Sequence, residues 1–306
     1  MHRGGRGFRN KSHKQQVLGK SESNQLDQDL DPILEAFRGY RKELDDKHDR
    51  NERCVKLSRD ITIESKRIIF LLHSIDGRQE NKQNILQEAE QRLQKLIDFN
   101  FKAVAKELGD LDPYQFRWAF SPGLQEFIEA YTFMEYMKGE DSTLSDWTAL
   151  QEKMIFVEKN QIDQKQKGIA DERNVGEEEI KENIATPLDV TPKKWTFLIP
   201  PTEYVLGLSD LTGELMRRCI NCLGSGETQE CMETCKVLQH FHSGYVKLSV
   251  FRCRELTRKI HTMYQSVLKA ENVCYNVKVR GGEAAKWGAM NAYDNKRGDE
   301  VDEGYF

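Results

Sequence analysis

Two pairs of carboxylates stand at helical spacing in this chain. Glu126 and Glu129 are three residues apart, and Asp210 and Glu214 are four apart. At about 100° per residue, each pair lies on one side of a helix. Opposite the first pair runs a stripe of Leu124, Phe127, Ile128 and Tyr131. Ala130, Phe133 and Met137 share the acids' own side, so this helix is apolar nearly all round. A helix of that kind is buried or packed on two sides. Carboxylates on it need cations, hydrogen bonds or a metal. The second pair lies across from Tyr204, Leu208, Leu211 and Leu215, with Glu203, Gly207 and Arg217 on its own face. Gly207 and Gly213 each cost a helix about 1 kcal/mol relative to alanine. Glycine inside a helix often marks a place of close approach.

Converging carboxylates suit Mg2+ or Mn2+, hard ions that take oxygen ligands and keep several waters. Such an ion activates a bound water, polarises a phosphoryl oxygen and stabilises the leaving oxygen, which is the chemistry of phosphodiester hydrolysis. No histidine is near these acids in sequence, so carboxylates and metal alone are expected to carry it. The spacing does not separate a metal site from buried ion pairs, because most surface helices hold such a pair. A fifth acid, Glu64, fills the gap in an apolar stripe of Cys54, Leu57, Ile61, Ile68, Leu71 and Ile75. Asp60 lies one turn back, and Arg59, Lys66 and Arg67 flank it. For Glu64 alone a salt bridge is the expected role.

The elements that must position these residues are helices. After Asp31 and Pro32, which read as a cap and first helical residue, Ile33, Phe37, Tyr40 and Leu44 share one face. The Cys54–Ile75 stripe follows. Ile85, Ala89, Leu93, Leu96 and Leu108 define a third helix, and Leu124 through Tyr131, after Pro122 and Gly123, a fourth. A fifth begins after Pro200 and Pro201. Leu256, Ile260, Met263, Val267, Ala270, Cys274 and Val277 mark the last. Steps of three and four dominate and strand alternation is nearly absent, so the expected fold is all-α, an antiparallel helical bundle. Residues 1 to about 30 read as a disordered basic and polar tail, with a nuclear address or weak RNA contact as the functional alternative. Residues 31–281 form the helical domain, interrupted by a mobile polar insertion at 158–193. Residues 282–306 read as a polar C-terminal tail.

Composition narrows the function classes. The 306 residues carry a formal net charge of −4, so any nucleic-acid contact must come from a local basic patch or a basic partner. No apolar run reaches the length of a membrane span, and no hydrophobic signal core is expected at the N-terminus. Seven cysteines read as free thiols in a reducing compartment. Cys219-x-x-Cys222 and Cys231-x-x-x-Cys235 have the look of a zinc site. The first two fall near the apolar stripe of their helix, and small core residues are the favoured reading. A di-iron oxidoreductase would need Glu-x-x-His on two helices, and the chain contains no such motif.

Four segments carry a family likeness. Leu57-Ser58-Arg59-Asp60-Ile61-Thr62, continuing to Glu64-Ser65-Lys66-Arg67, is the first. Gly123-Leu124-Gln125-Glu126-Phe127-Ile128-Glu129-Ala130 and Asp210-Leu211-Thr212-Gly213-Glu214-Leu215-Met216-Arg217 follow. The last is Val273-Cys274-Tyr275 through Lys278-Val279-Arg280-Gly281. In order and spacing they resemble the translin-associated factor X family. The resemblance covers about 35 to 281.

That resemblance implies a translin-like bundle of about seven helices. It implies translin as partner, in a closed hetero-oligomeric, octameric shell that encloses RNA. The activity implied is that of an endoribonuclease, which degrades nicked passenger strands of small-RNA duplexes and so activates the RNA-induced silencing complex, in cytoplasm and nucleus. The family's catalytic carboxylates match Glu126, Glu129, Asp210 and Glu214, none replaced. Glu126, Glu129 and Asp210 would ligate Mg2+ (Mn2+ as substitute), and Glu214 would be a further ligand or a base that orients water. Arg59, Lys66, Arg67 and Arg217 would steer phosphates, with ion pairing to Asp60, Glu64 or Glu214 as the equal alternative. The rival to an enzyme is a non-catalytic subunit that binds single-stranded RNA or DNA, or scaffolds the complex.

Overall fold

The computed structural model describes residues 20–76, 78–139, 146–158, 193–248 and 253–294. The chain divides into two compact units, Met1–Arg50 and Asn51–Phe306. Helix α1 spans Lys20–His73. Helix α2 (Gln79–Lys95) passes through a π-helical stretch, Leu96–Phe101, into α3 (Lys102–Leu108). A 3-10 turn at Pro113–Phe116 leads into α4 (Arg117–Lys138), and α5 (Trp147–Lys153) follows. Strands β1 (Ile155–Glu158) and β2 (Lys193–Thr196) pair antiparallel, Ile155 opposite Thr196. Helices α6 (Pro201–Ser225), α7 (Thr228–Val246) and α8 (Arg254–Asp294) complete the described chain. The fold is an all-α bundle with one short hairpin.

The apolar pattern explains where each helix sits. On α4, the residues from Leu124 to Met134 are all buried except Glu126, as an all-round apolar helix requires. It packs on α2 and α6, while α6 also packs on α7 and α8. Ile85, Ala89, Leu93, Leu96 and Leu108 are buried together. Phe101 links two neighbours, with its ring 4.8 Å from Phe127 and 5.1 Å from Phe197. The return from the hairpin is strapped down by side chains of α5. Trp147 Nε1 donates to the Ile199 carbonyl (2.9 Å), and Gln151 bonds the backbone of Phe197 and Ile199. Helix α6 starts with Pro at its first position, where no N–H is needed, and ends at Gly226, whose φ of 86° is the left-handed conformation glycine favours.

Several boundaries differ from the sequence reading. Helix α1 begins at Lys20 rather than at Asp31 and runs unbroken through Pro32, so the two stripes expected there lie on one helix. Ile33, Phe37, Tyr40 and Leu44 are exposed, which separates them from the buried Cys54, Ile61, Ile68 and Ile75. Helix α4 begins at Arg117 and contains Pro122; Arg117 and Ser121 both bond Glu203 of α6, which anchors the extra turn. Helix α8 continues to Asp294, past the expected end at 281. A whole helix, α7, was not read from the sequence; its buried Cys231, Thr234, Cys235 and Leu238 mix polar and apolar types, which blurs the period. The expected polar insertion, 158–193, lies outside the described residues apart from Glu158 and Lys193, which pair between the strands, and residues 1–19 and 295–306 also lie outside them.

Candidate active site

Glu126 and Glu129 project from α4, Asp210 and Glu214 from α6. The two helices approach closely because Gly207 of α6 has no side chain. A Cβ there would stand 2.8 Å from both the Gln125 carbonyl oxygen and Ile128 Cβ. Gly213 is different, with nothing within 4 Å of an added Cβ, so the expectation of a close approach holds for Gly207 alone.

The acids share one electrostatic environment. Burial pushes Glu129 up to about 9, and the charges of Asp210, Glu126 and Glu214 add to the effect. Glu126 is raised by burial and then by Asp210 and Glu214, against the pull of Lys66. Asp210 is raised by burial and by Glu255, against Lys259. Like charges in a poorly solvated site oppose one another's ionisation. All four carboxylates are thus brought together.

Cations compensate them unevenly. Lys66 Nζ is 3.2 Å from Glu126 Oε1. Lys259 Nζ donates to Asp210 Oδ2 (2.6 Å), Gln125 Oε1 (2.8 Å) and the Leu206 carbonyl (3.2 Å). Glu214 Oε2 lies 2.5 Å from His73 Nε2 and 3.0 Å from Arg217 Nη1. Glu129 differs: among the described residues its carboxyl accepts no hydrogen bond and makes no ion pair. It is 9% exposed, and Lys259, held on Asp210, acts on it only from beyond contact. Behind the site, Glu203 is 1% exposed. It accepts bonds from Arg117, Ser121 and Gln125, the last at 2.6 Å. Gln125 therefore ties Glu203 to Lys259 and so to Asp210.

Sequence reasoning missed His73, Gln125 and Lys259, and named Glu203 only as a neighbour on the Asp210 face. His73 closes α1, 141 residues from Glu214. The expectation of a site without histidine does not survive this contact. Helix geometry could have flagged Gln125 beside Glu126, but nothing in the sequence points from Lys259 to Asp210. Of the four basic residues expected to steer phosphate, Lys66 and Arg217 reach the acids. Arg67 instead approaches Glu64 (3.5 Å), which Arg92 holds at 2.7 Å. Arg92 holds the Glu64 carboxyl below its ordinary range, so Glu64 is a salt-bridged residue outside the quartet. Arg59 and Asp60 are exposed.

The donor set fits a hard divalent ion in its chemistry. A buried carboxyl with no cation at contact distance, beside three other acids, is neutralised either by a proton or by a metal. The side chains are not drawn around one point, because Lys66, Lys259 and His73 each hold an acid. Among the described residues, the triads of donor atoms lying within 4.8 Å of one another contain cysteine, and the acidic quartet is not one of them.

The translin family model matches residues 49–281, a span that includes α4, α6 and all four acids. The chain belongs to the translin family. Within it, the chain is 36% identical to Translin-associated protein X of Rattus norvegicus, over 92% of this chain and 90% of that one. It is 35% identical to Translin-associated protein X of Pongo abelii, over 92% and 91%. A Translin-associated protein X homolog of Schizosaccharomyces pombe is 26% identical, over 80% and 88%. Solved structures of apo-NeC3PO and of the AfC3PO–duplex RNA complex are similar at 16% and 17% identity. They cover 85% and 86% of this chain, and 96% and 100% of theirs, with TM-scores of 0.49 and 0.46. Among the described residues of this family member, no helix is long and apolar enough to cross a membrane.

Proposed function

We propose that this chain is the catalytic subunit of a Mg2+-dependent endoribonuclease assembled with translin. Its substrate would be single-stranded or nicked RNA, with passenger strands of small-RNA duplexes as the physiological target and activation of the silencing complex as the outcome. The observation that carries the reading is Glu129, a buried carboxyl among three others with no cation of its own. The relatives' association with translin, in their names, supports the partner.

Each residue has a task in this reading. Glu126, Glu129 and Asp210 would hold Mg2+, or Mn2+ in its place. A metal bound there would supply an activated water and charge stabilisation at the phosphate. A cation held there would favour the charged form of Glu129, whose charge burial and the neighbouring acids now oppose. Glu214, fixed between His73 and Arg217, orients the attacking water and can accept its proton. Lys66 and Arg217 stand at the acids' rim, 64% and 59% exposed, where a phosphate can draw them off. The Glu203–Gln125–Lys259 chain sets the position of Asp210.

The alternative is a non-catalytic RNA-binding subunit. The ion pairs of Lys66 with Glu126 and of Lys259 with Asp210 favour it, because they offset the acids without a metal. Chelation separates the two readings. Cleavage of RNA by the reconstituted translin complex should stop in EDTA and return with Mg2+, and Glu126→Ala should abolish it with assembly intact. Cleavage that ignores EDTA would remove the metal mechanism.

A further inference from the structure

A second cluster of ligating side chains lies away from the acids. Cys219 of α6, Cys231 of α7 and Cys274 of α8 are buried at 0%, 1% and 6% exposure. Cys219 Sγ is 3.3 Å from Cys231 Sγ, and Cys231 Sγ is 3.6 Å from Cys274 Sγ. All three sulfurs lie within 4.8 Å of one another. Cys219 is nine residues beyond Asp210, or about 13 Å along the helix at 1.5 Å per residue, so the cluster is separate from the carboxylates.

We propose that Cys219, Cys231 and Cys274 form a structural site for one thiophilic metal ion, Zn2+ or Cu+, that clasps helices α6, α7 and α8. Soft thiolate ligands select these ions over Mg2+. A Zn–S bond of about 2.3 Å places tetrahedral sulfurs about 3.8 Å apart, so the observed separations need to open by only a few tenths of an ångström. The three cysteines come from three helices and from positions 12 and 43 residues apart, a grouping the sequence spacing does not suggest. The pairs that do look like a zinc motif are split. Cys222 sits instead beside Glu227 and Glu230, and Glu230 accepts Arg218 Nε and Nη2 at 3.1 and 2.8 Å. Cys235 is also buried on α7 but is not among the three sulfurs that lie within 4.8 Å of one another.

Hydrogen bonding with Cys219 and Cys274 holds Cys231 below the ordinary thiol range, while contacts with Cys231 and Cys274 push Cys219 up. On metal binding each coordinating thiol gives its proton to solvent and the ion sheds water, with no change of oxidation state. Because the cluster is closed off in the core, the ion enters as the chain folds.

The test uses the full-length chain from cells grown with added zinc or copper, purified under reducing conditions, with metal counted by elemental analysis. About one thiophilic ion per chain is expected, falling about tenfold or more in Cys231→Ala and unchanged in Cys54→Ala, a buried cysteine outside the cluster. Should Cys231→Ala fail to fold, the unaltered chain is refolded with Cd2+ and followed by sulfur-to-metal absorption, which should saturate near one equivalent. Metal far below one per chain, equal metal in a folded Cys231→Ala, or no saturable Cd2+ absorption would each overturn the proposal.

Discussion

His73 Nε2 lies 2.5 Å from Glu214 Oε2, across 141 residues of sequence. The imidazole sits on the Phe133 ring at 4.8 Å between centroids, and its Nδ1 is buried without a partner among the described residues. The end of α1 is thus pinned to the carboxylate that faces the other acids from α6. Replacing His73 with alanine frees Glu214 to follow the exposed Arg217. Displacement of about 1 Å at a reacting group can cost about a hundredfold, so His73→Ala should lower single-turnover RNA cleavage by about ten- to a hundredfold. RNA affinity in a filter-binding assay should be unchanged. Wild-type cleavage would remove His73 from the site.

On the proposed mechanism, Lys259, 2.6 Å from Asp210 Oδ2, would compete with a metal for that carboxylate. In Lys259→Met the ammonium is lost, and the Mg2+ concentration for half-maximal cleavage should fall. Asp210 is about a third exposed, so the stability lost is about 1–2 kcal/mol, below the figure for a fully buried pair. A Mg2+ titration beside a thermal melt reads both effects.

Glu129 makes metal-free stability depend on pH. Burial and the charges of Asp210, Glu126 and Glu214 push its carboxyl up to about 9 in the fold, from an ordinary 4.5. A raised pKa means that the favourable contribution is full below about 4.5 and is lost as pH rises toward 9. In EDTA, the chain should therefore melt at lower temperature as pH rises through that window. Glu129→Gln should flatten the trend and raise the melting temperature at the alkaline end, while removing stabilisation by Mg2+.

The two helix glycines should respond in opposite directions to alanine. Gly207→Ala drives a Cβ into Gln125 and Ile128 and should cost about 1–3 kcal/mol. Gly213→Ala meets open space and should gain up to about 1 kcal/mol. Chemical denaturation of the two variants measures the difference.

What was legible follows from which distances the sequence encodes. Pro200 and Pro201 marked the start of α6, and period placed the Ile85–Leu108 stripe, because burial on one face leaves a repeat of three and four. It also showed that α4 is apolar all round, which is why Glu129 is buried. The lateral neighbours were not legible. Which face of α8 brings Lys259 to Asp210, and which turn of α1 brings His73 to Glu214, depends on packing angles between helices distant in sequence. The length of α1 was misread for a related reason: the exposed Ile33–Leu44 stripe has the same period as a core stripe, and Pro32 looked like a first helical residue.

Asp210→Asn tests most directly whether the four acids form a metal-dependent catalytic site. That change keeps the shape of the side chain and removes one ligand charge. The measurement is single-turnover RNA cleavage by the complex reconstituted with translin, in Mg2+, with assembly checked by size-exclusion chromatography. Loss of cleavage by about a hundredfold or more, with assembly and RNA binding intact, is the predicted result. Undiminished cleavage by the intact Asp210→Asn complex would contradict it.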